Sequence, residues 1–249
     1  AMLKRIIEGR WLQANGAIAL LPANTVGGDV IELYADESRE QVLLRWQPLR
    51  QQTERPVVDG VRRPNRSLAD FVAPKGVQPD HVGVFAVTGG LGIEKKLAEF
   101  EAAHDDYSSI MLKALADRLA EAFAERLHQR VRTEFWGYAA DEGLSNEQLI
   151  AEAYQGIRPA PGYPACPEHG IKGDMFRVLQ AEGIGMGLTE HMAMTPAASV
   201  SGFYLAHPDA TYFNVGKIGA DQAADWGRTL GIGEVDSRRR LSAVLDDAP

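Results

Sequence analysis

Arg158 and Tyr163 lie in the segment Arg158-Pro159-Ala160-Pro161-Gly162-Tyr163-Pro164-Ala165-Cys166-Pro167-Glu168-His169, which carries prolines at 159, 161, 164 and 167. Each proline fixes φ and removes an amide donor, so the segment suits neither a helix interior nor a central strand. It reads as a stiff loop. Arg158 offers a planar fork suited to a carboxylate, Tyr163 a flat stacking surface, and Gly162 close access of a ligand to the main chain. Together they suit a small zwitterion carrying a ring. The competing reading is a surface loop stiffened by proline.

Other residues could join such a site. Asp117, Glu121 and Glu125 recur every four residues and share a helix face, where like charges repel. A ligand ammonium or sulfonium would relieve that repulsion, as would Lys113, Arg118 or solvent. Glu152 precedes Arg158 on a predicted helix and could hold a ligand amine. Tyr212 and Phe213 open a predicted strand, on which successive side chains face opposite sides: one belongs in the core, the other could close over an aromatic ligand. Cys166 and His169 have metal-like spacing but no second pair, so a buried thiol is the better reading and no metal site is expected. The run Gly183-Ile184-Gly185-Met186-Gly187 follows a helix, whereas a nucleotide-binding glycine signature follows a strand. Ser199 and Ser201 lack a nucleophile elbow, and the six histidines show no triad spacing.

The elements that must position these residues follow from periodicity. Leu3, Ile6, Ile7 and Trp11 predict a short helix that Gly16 stops. Residues 17–21, 29–34 and 41–46 read as a three-stranded meander. The run 50–66, with five arginines, reads as an irregular solvated connection. Residues 81–87 form a buried strand that Thr88-Gly89-Gly90 ends. A long helix spans about 106–131, with Met111, Leu115, Leu119, Phe123, Leu127 and Val131 every four residues; that step drifts around the helix, so its buried surface must wrap. Ser145 and Gln148 form a capping box for a helix ending at Gly156. Residues 175–181 form a short helix, 200–205 and 211–215 strands, and 221–230 and 235–245 terminal helices. Strands, then a helical block, then strands again predict an α+β fold: a largely antiparallel twisted sheet with a long central helix and flanking helices in a single domain over 1–249.

With 249 residues, 45% of them hydrophobic, the chain can bury a sizeable core. A net charge of −8 argues against nucleic acid as a partner. A single cysteine suits a reducing compartment, and no apolar run approaches the roughly 20 residues of a membrane span. A cytoplasmic location is expected.

The proline loop, with Tyr154-Gln155-Gly156-Ile157 before it, resembles the C-terminal activation domain of cobalamin-dependent methionine synthase. Leu20-Leu21-Pro22-Ala23-Asn24, Leu68-Ala69-Asp70-Phe71-Val72-Ala73-Pro74, Phe85-Ala86-Val87-Thr88-Gly89-Gly90, Phe135-Trp136-Gly137-Tyr138 and Ala198-Ser199-Val200-Ser201-Gly202 fit the same family, so the likeness spans nearly the whole chain. The resemblance implies an S-adenosylmethionine-binding module that supports reductive methylation of cob(II)alamin to methylcobalamin and so reactivates the synthase. Cobalamin would be held by a separate cobalamin-binding module, and a flavodoxin-type partner would supply the electron. The family's Arg-x-x-x-Gly-Tyr motif falls on 158–163. It implies that Arg158 holds the methionyl carboxylate, with Ala160, Gly162 and Tyr163 lining the site. Family acids that orient the ligand or the cobalamin module map onto Glu121, Glu152 and Asp117, and the aromatic pair onto Tyr212 and Phe213, where relatives carry tyrosine at the second position. None of these residues is expected to act on bonds itself, since the cobalt is the nucleophile. The family's domain begins further upstream, with a segment nothing here matches. The cobalamin, homocysteine and folate modules are unmatched too, so the chain alone is not expected to make methionine. The alternative is a non-catalytic module that docks a cobalamin-domain or flavodoxin-type partner through the arginine run and the acidic helix face.

Overall fold

Apolar runs separated by polar and glycine-containing turns build the first strands, and a computed structural model describes residues 2–53 and 57–246. Helix α1 (Met2–Gly9) buries only Ile6 and gives way at Arg10, whose φ of 47° is left-handed. The stop therefore comes before Gly16, which lies inside strand β1 (Gln13–Val26). A Cβ at Gly16 would fall 2.9 Å from the Phe123 ring, so close packing rather than helix termination calls for glycine there. Strands β2 (Val30–Tyr34) and β3 (Val42–Trp46) complete the expected meander. Both pairings are antiparallel, with Ala23 opposite Leu33 and Ile31 opposite Trp46.

The arginine run holds a small hairpin, β4 (Val57–Val58) with β5 (Val61–Arg62); Arg55 lies outside the described residues. Arg50 is not solvated as expected. Its Nε donates to Asp29 at 3.1 Å, and its Nη1 donates to Asp70 at 3.0 Å and to the Asn65 carbonyl at 2.8 Å.

Strand β6 (Asp80–Leu91) is buried from Val82 to Gly90, matching its unbroken apolar run. It continues through Gly89 and Gly90 instead of ending at Thr88. There follow α2 (Ile93–Ala102), α3 (Asp106–Arg130), α4 (Asn146–Ile150), α5 (Ile171–Leu179), the short strands β7 (Gly187–Leu188) and β8 (Met194–Thr195), β9 (Ser199–Tyr204), α6 (Ala220–Leu230) and α7 (Glu234–Arg240). The main sheet runs β3-β2-β1-β6-β9. The α+β class with a largely antiparallel sheet and flanking helices is the one the chain adopts. Among the described residues no helix is long and apolar enough to cross a membrane.

Contacts divide the chain into two compact units, residues 1–19, 84–142 and 175–202, and residues 20–83, 143–174 and 203–249. In the first, α3 buries a row that advances every four residues, Leu112, Ala116, Ala120, Ala124 and His128, with Met111, Leu115, Leu119 and Phe123 half-buried beside it. The surface wraps as the spacing predicts, but alanines rather than the large apolar residues occupy its deepest line. The reason is Gly89. A Cβ there would fall 3.0 Å from the Ala120 nitrogen and 3.1 Å from the Ala116 oxygen, so helix and strand meet backbone to backbone. Ile6, Phe100 and Leu112 form a further core cluster, with Trp11 edge-on to Phe100 at 6.0 Å. In the π turn after α3, Arg132 is fully buried and grips Glu142 through two 2.7 Å hydrogen bonds.

In the second unit, Trp46 stacks on Phe203 with ring centroids 3.9 Å apart and planes 7° apart. Leu49, Val215, Ile218, Ala223, Trp226, Leu241 and Leu245 form its other core cluster. Trp226 donates its indole N–H to the Gln47 carbonyl at 3.0 Å, so the largest ring of that cluster leaves no donor unpaired.

Gly89→Ala should destabilise the chain by about 1–3 kcal/mol, because the new methyl meets main chain that has no rotamer to change. Urea unfolding followed by circular dichroism would show it. An unchanged midpoint would mean that α3 does not rest on Gly89.

Candidate functional site

Four prolines deprive residues 158–169 of donors, and the chain compensates by using carbonyls and the few remaining amides. Ile157 forms an antiparallel bridge with Leu205, giving and receiving hydrogen bonds of 2.9 and 3.0 Å. The Pro159 carbonyl then accepts from the Phe203 amide, and the Pro164 carbonyl from the Val215 amide, both at 2.9 Å. Inside the loop, Tyr163 accepts from Cys166 at 2.9 Å while Gly162 donates to Cys166 at 2.7 Å. The loop is stiff and irregular, as its composition predicts.

Gly162 has φ +98°, and a Cβ would fall 2.2 Å from His169 Cε1. The imidazole occupies the side of Gly162 that a side chain would need. Glu168 receives the Ile171 amide at 3.1 Å and pairs with Arg240 at 3.1 Å, so an acid closes the loop against the positive end of α5. Cys166 is buried, and desolvation pushes its thiol well above the usual range.

At the other end of the loop, Arg158 is half-buried. Its Nη1 donates to the Tyr154 hydroxyl at 2.7 Å, and its backbone N–H donates to the Tyr212 hydroxyl at 3.0 Å. Burial pushes the Tyr212 phenol up to about 12; Arg158 pulls the other way, and Tyr154 and Glu152 push with the burial. The structure thus brings Arg158, Tyr212, Tyr154 and Glu152 into one neighbourhood. Tyr163 is 62% exposed and Ala160 half-buried.

Two expected elements are corrected. Helix α4 begins with the expected capping box, Ser145 with Gln148, but stops at Ile150 instead of Gly156. No residue of α4 is buried, and so short a helix needs a packed face to continue. Glu152 therefore sits in an exposed turn with φ 53°, not on a helix. Residues 211–215 form no strand. The Gln51 amide takes the Asn214 carbonyl at 2.7 Å and the Val215 amide goes to Pro164, so no strand ladder forms. Phe213 packs against the cluster around Trp226, while Tyr212 is 40% exposed.

Asp117 and Glu121 are exposed on α3, in the first compact unit. Arg158, Ala160, Gly162, Tyr163, Tyr212, Phe213 and Glu152 all belong to the second. Tyr154 and Glu168 escaped the reading of the sequence. Tyr154 fell inside the helix expected to end at Gly156, four residues before Arg158.

The model of the family described as "Vitamin B12 dependent methionine synthase, activation domain" matches residues 1–231. Among solved structures, this chain is similar to a crystal structure of the MetH reactivation domain bound to AdoHcy. The TM-score is 0.92 at 51% identity, covering 99% of this chain and 75% of that one.

Burial, and after it the Lys172 ammonium, hold the His169 imidazole below its usual pKa, against an opposing pull from Glu168. The folded chain then binds fewer protons at His169 than the unfolded chain. Stability rises with pH through the window below the ordinary histidine value of about 6.5, and acidification through that window weakens the loop. An NMR titration should place the His169 midpoint under that value; a midpoint at or above it would put the ring in open water, away from Gly162.

Proposed function

The chain belongs to the activation-domain family of vitamin B12-dependent methionine synthase, and on that premise we propose that it binds S-adenosylmethionine and supports reductive methylation of cob(II)alamin to methylcobalamin. The observation that carries this reading is the Arg158 guanidinium, held by Tyr154 at the head of a proline-stiffened loop that also presents Tyr163. A guanidinium suits the methionyl carboxylate, and an exposed aromatic ring suits the adenine. The similar structure was solved with AdoHcy, the product left when S-adenosylmethionine loses its methyl group.

In this proposal Arg158 grips the carboxylate, Ala160, Gly162 and Tyr163 line the ligand, and Tyr212 and Phe213 flank it. Glu152 lies toward the ligand's positive centres, and Asp117 meets the cobalamin-binding module. That module would hold the cobalamin and a flavodoxin-type donor would supply the electron, so that together they would provide the chemistry that takes the methyl group from the bound sulfonium and leaves AdoHcy. What this chain supplies is position and charge. The setting is cytoplasmic, and the reaction restores the synthase to methionine biosynthesis. Of the arginine run that the docking alternative invokes, Arg50 spends donors on Asp29, Asp70 and Asn65.

Calorimetry with S-adenosylmethionine should give saturable binding to the wild-type chain. Arg158→Ala should weaken it by about 10- to 100-fold, as for loss of a charge-assisted hydrogen bond. Absence of binding by the wild type would sink the proposal. Equal binding by both would move the carboxylate to another residue.

A further inference from the structure

Glu168 sits at the far end of the proline loop with its side chain 12% exposed, and three groups meet its carboxylate. The amides of Gly170 and Ile171 donate to its two oxygens, and the Arg240 guanidinium at the end of α7 pairs with it at 3.1 Å. Arg240 is itself placed by its surroundings. It lies over the Trp226 ring at 5.7 Å, and a Cβ at Gly170 would fall 1.5 Å from its Nη2, so the guanidinium rests on bare main chain. Directly after Glu168 comes His169, the ring that fills the space beside Gly162.

One carboxylate cannot balance every cation near it. Arg240 keeps its charge at any ordinary pH, and Lys172, buried in the first turn of α5, is a second positive group. An imidazole has the lowest ordinary pKa of the three, so it is the group that gives up its proton. Burial and Lys172 accordingly hold His169 below its usual range, while Glu168 pulls the other way. Arg240 takes up the negative charge behind that pull. We propose that Arg240 is a positioning residue for the ligand loop: by engaging Glu168 it leaves the His169 ring seated against Gly162, and so holds the backbone from Gly162 to Glu168 in the shape that meets the ligand. The inference rests on the S-adenosylmethionine reading above and adds to it a residue of the terminal helix, far along the chain from the loop it braces.

The experiment is an NMR titration of His169, with calorimetry of S-adenosylmethionine binding beside it, on the wild-type chain and on chains carrying Arg240→Met, Glu168→Gln or both. Arg240→Met keeps an apolar stem on Gly170 and Trp226 and removes only the charge. It should raise the His169 midpoint, because the Glu168 charge is then left to the imidazole. It should also weaken S-adenosylmethionine binding by about 3- to 10-fold, the scale of ordering a few side chains afresh. That loss should deepen as the pH falls from about 8 to about 6, the range in which histidine takes up its proton. Glu168→Gln breaks the same pair yet should lower the midpoint, and in the double variant the rise should vanish. An Arg240→Met midpoint at or below the wild-type value overturns the inference, as does binding that Arg240→Met leaves unchanged. So does a shift in the same direction from both single variants, which a merely structural pair would give. A wild type that binds no S-adenosylmethionine overturns the broader proposal instead, while the titration, which needs no ligand, still decides whether Arg240 governs His169. Should Arg240→Met fail to fold, Arg240→Gln carries the same comparison.

Discussion

The binding region depends on a loop with few donors finding neighbours that supply them. Prolines at 159, 161, 164 and 167 leave that stretch rich in carbonyls. The amides of Phe203 and Val215 meet the carbonyls of Pro159 and Pro164, and the Ile157 bridge to Leu205 sets where the loop starts. An unpaired buried carbonyl costs free energy comparable to a lost hydrogen bond, so these few contacts hold the loop in one place. The prolines limit the conformations it must give up to be held there.

From that anchorage the rest follows in sequence. With Ile157 and Pro159 tied down on either side of it, Arg158 has a fixed backbone, and its N–H has the Tyr212 oxygen to meet. Its head meets Tyr154. Further along, Gly162 leaves room for His169, and Glu168 ties the loop end to α5 and to Arg240, whose guanidinium lies over the Trp226 ring at 5.7 Å. The loop is thus joined through one acid and one cation to the core cluster around Trp226. An exposed tyrosine on so restrained a backbone presents its ring with little ordering left to do on binding.

The first unit rests on a different device. Where Gly89 removes a side chain, the α3 backbone approaches to contact distance, and alanines at 116, 120 and 124 keep that approach possible. The large residues one position earlier, Met111, Leu115, Leu119 and Phe123, fill the flank. The four-residue recurrence seen along the chain was therefore real, and it belonged to two adjacent rows, of which the smaller residues lie deeper.

Much of this was legible without coordinates. The meander, the buried strand, the long helix and the capping box at Ser145 carry strong local patterns, because alternation, periodicity and side-chain caps are properties of neighbouring residues. The stiffness of the loop was equally local, since proline acts on its own φ and its own nitrogen. Three things were decided only by tertiary structure. Gly89 and Gly90 continue a strand because α3 and Ala198 press on them from afar. Helix α4 stops early because none of its residues is buried, and at 211–215 the Val215 amide donates to a proline carbonyl while the Asn214 carbonyl accepts from the Gln51 side chain, instead of forming a ladder. The partner of Arg158 was invisible for the same reason: whether a tyrosine four residues away faces the core or an arginine depends on where the intervening turn is tied, and that tie is made by residues near 205. Sequence determines what each segment is able to do; contacts between distant segments choose among those abilities, because only they can satisfy the polar groups and fill the space that a segment leaves open.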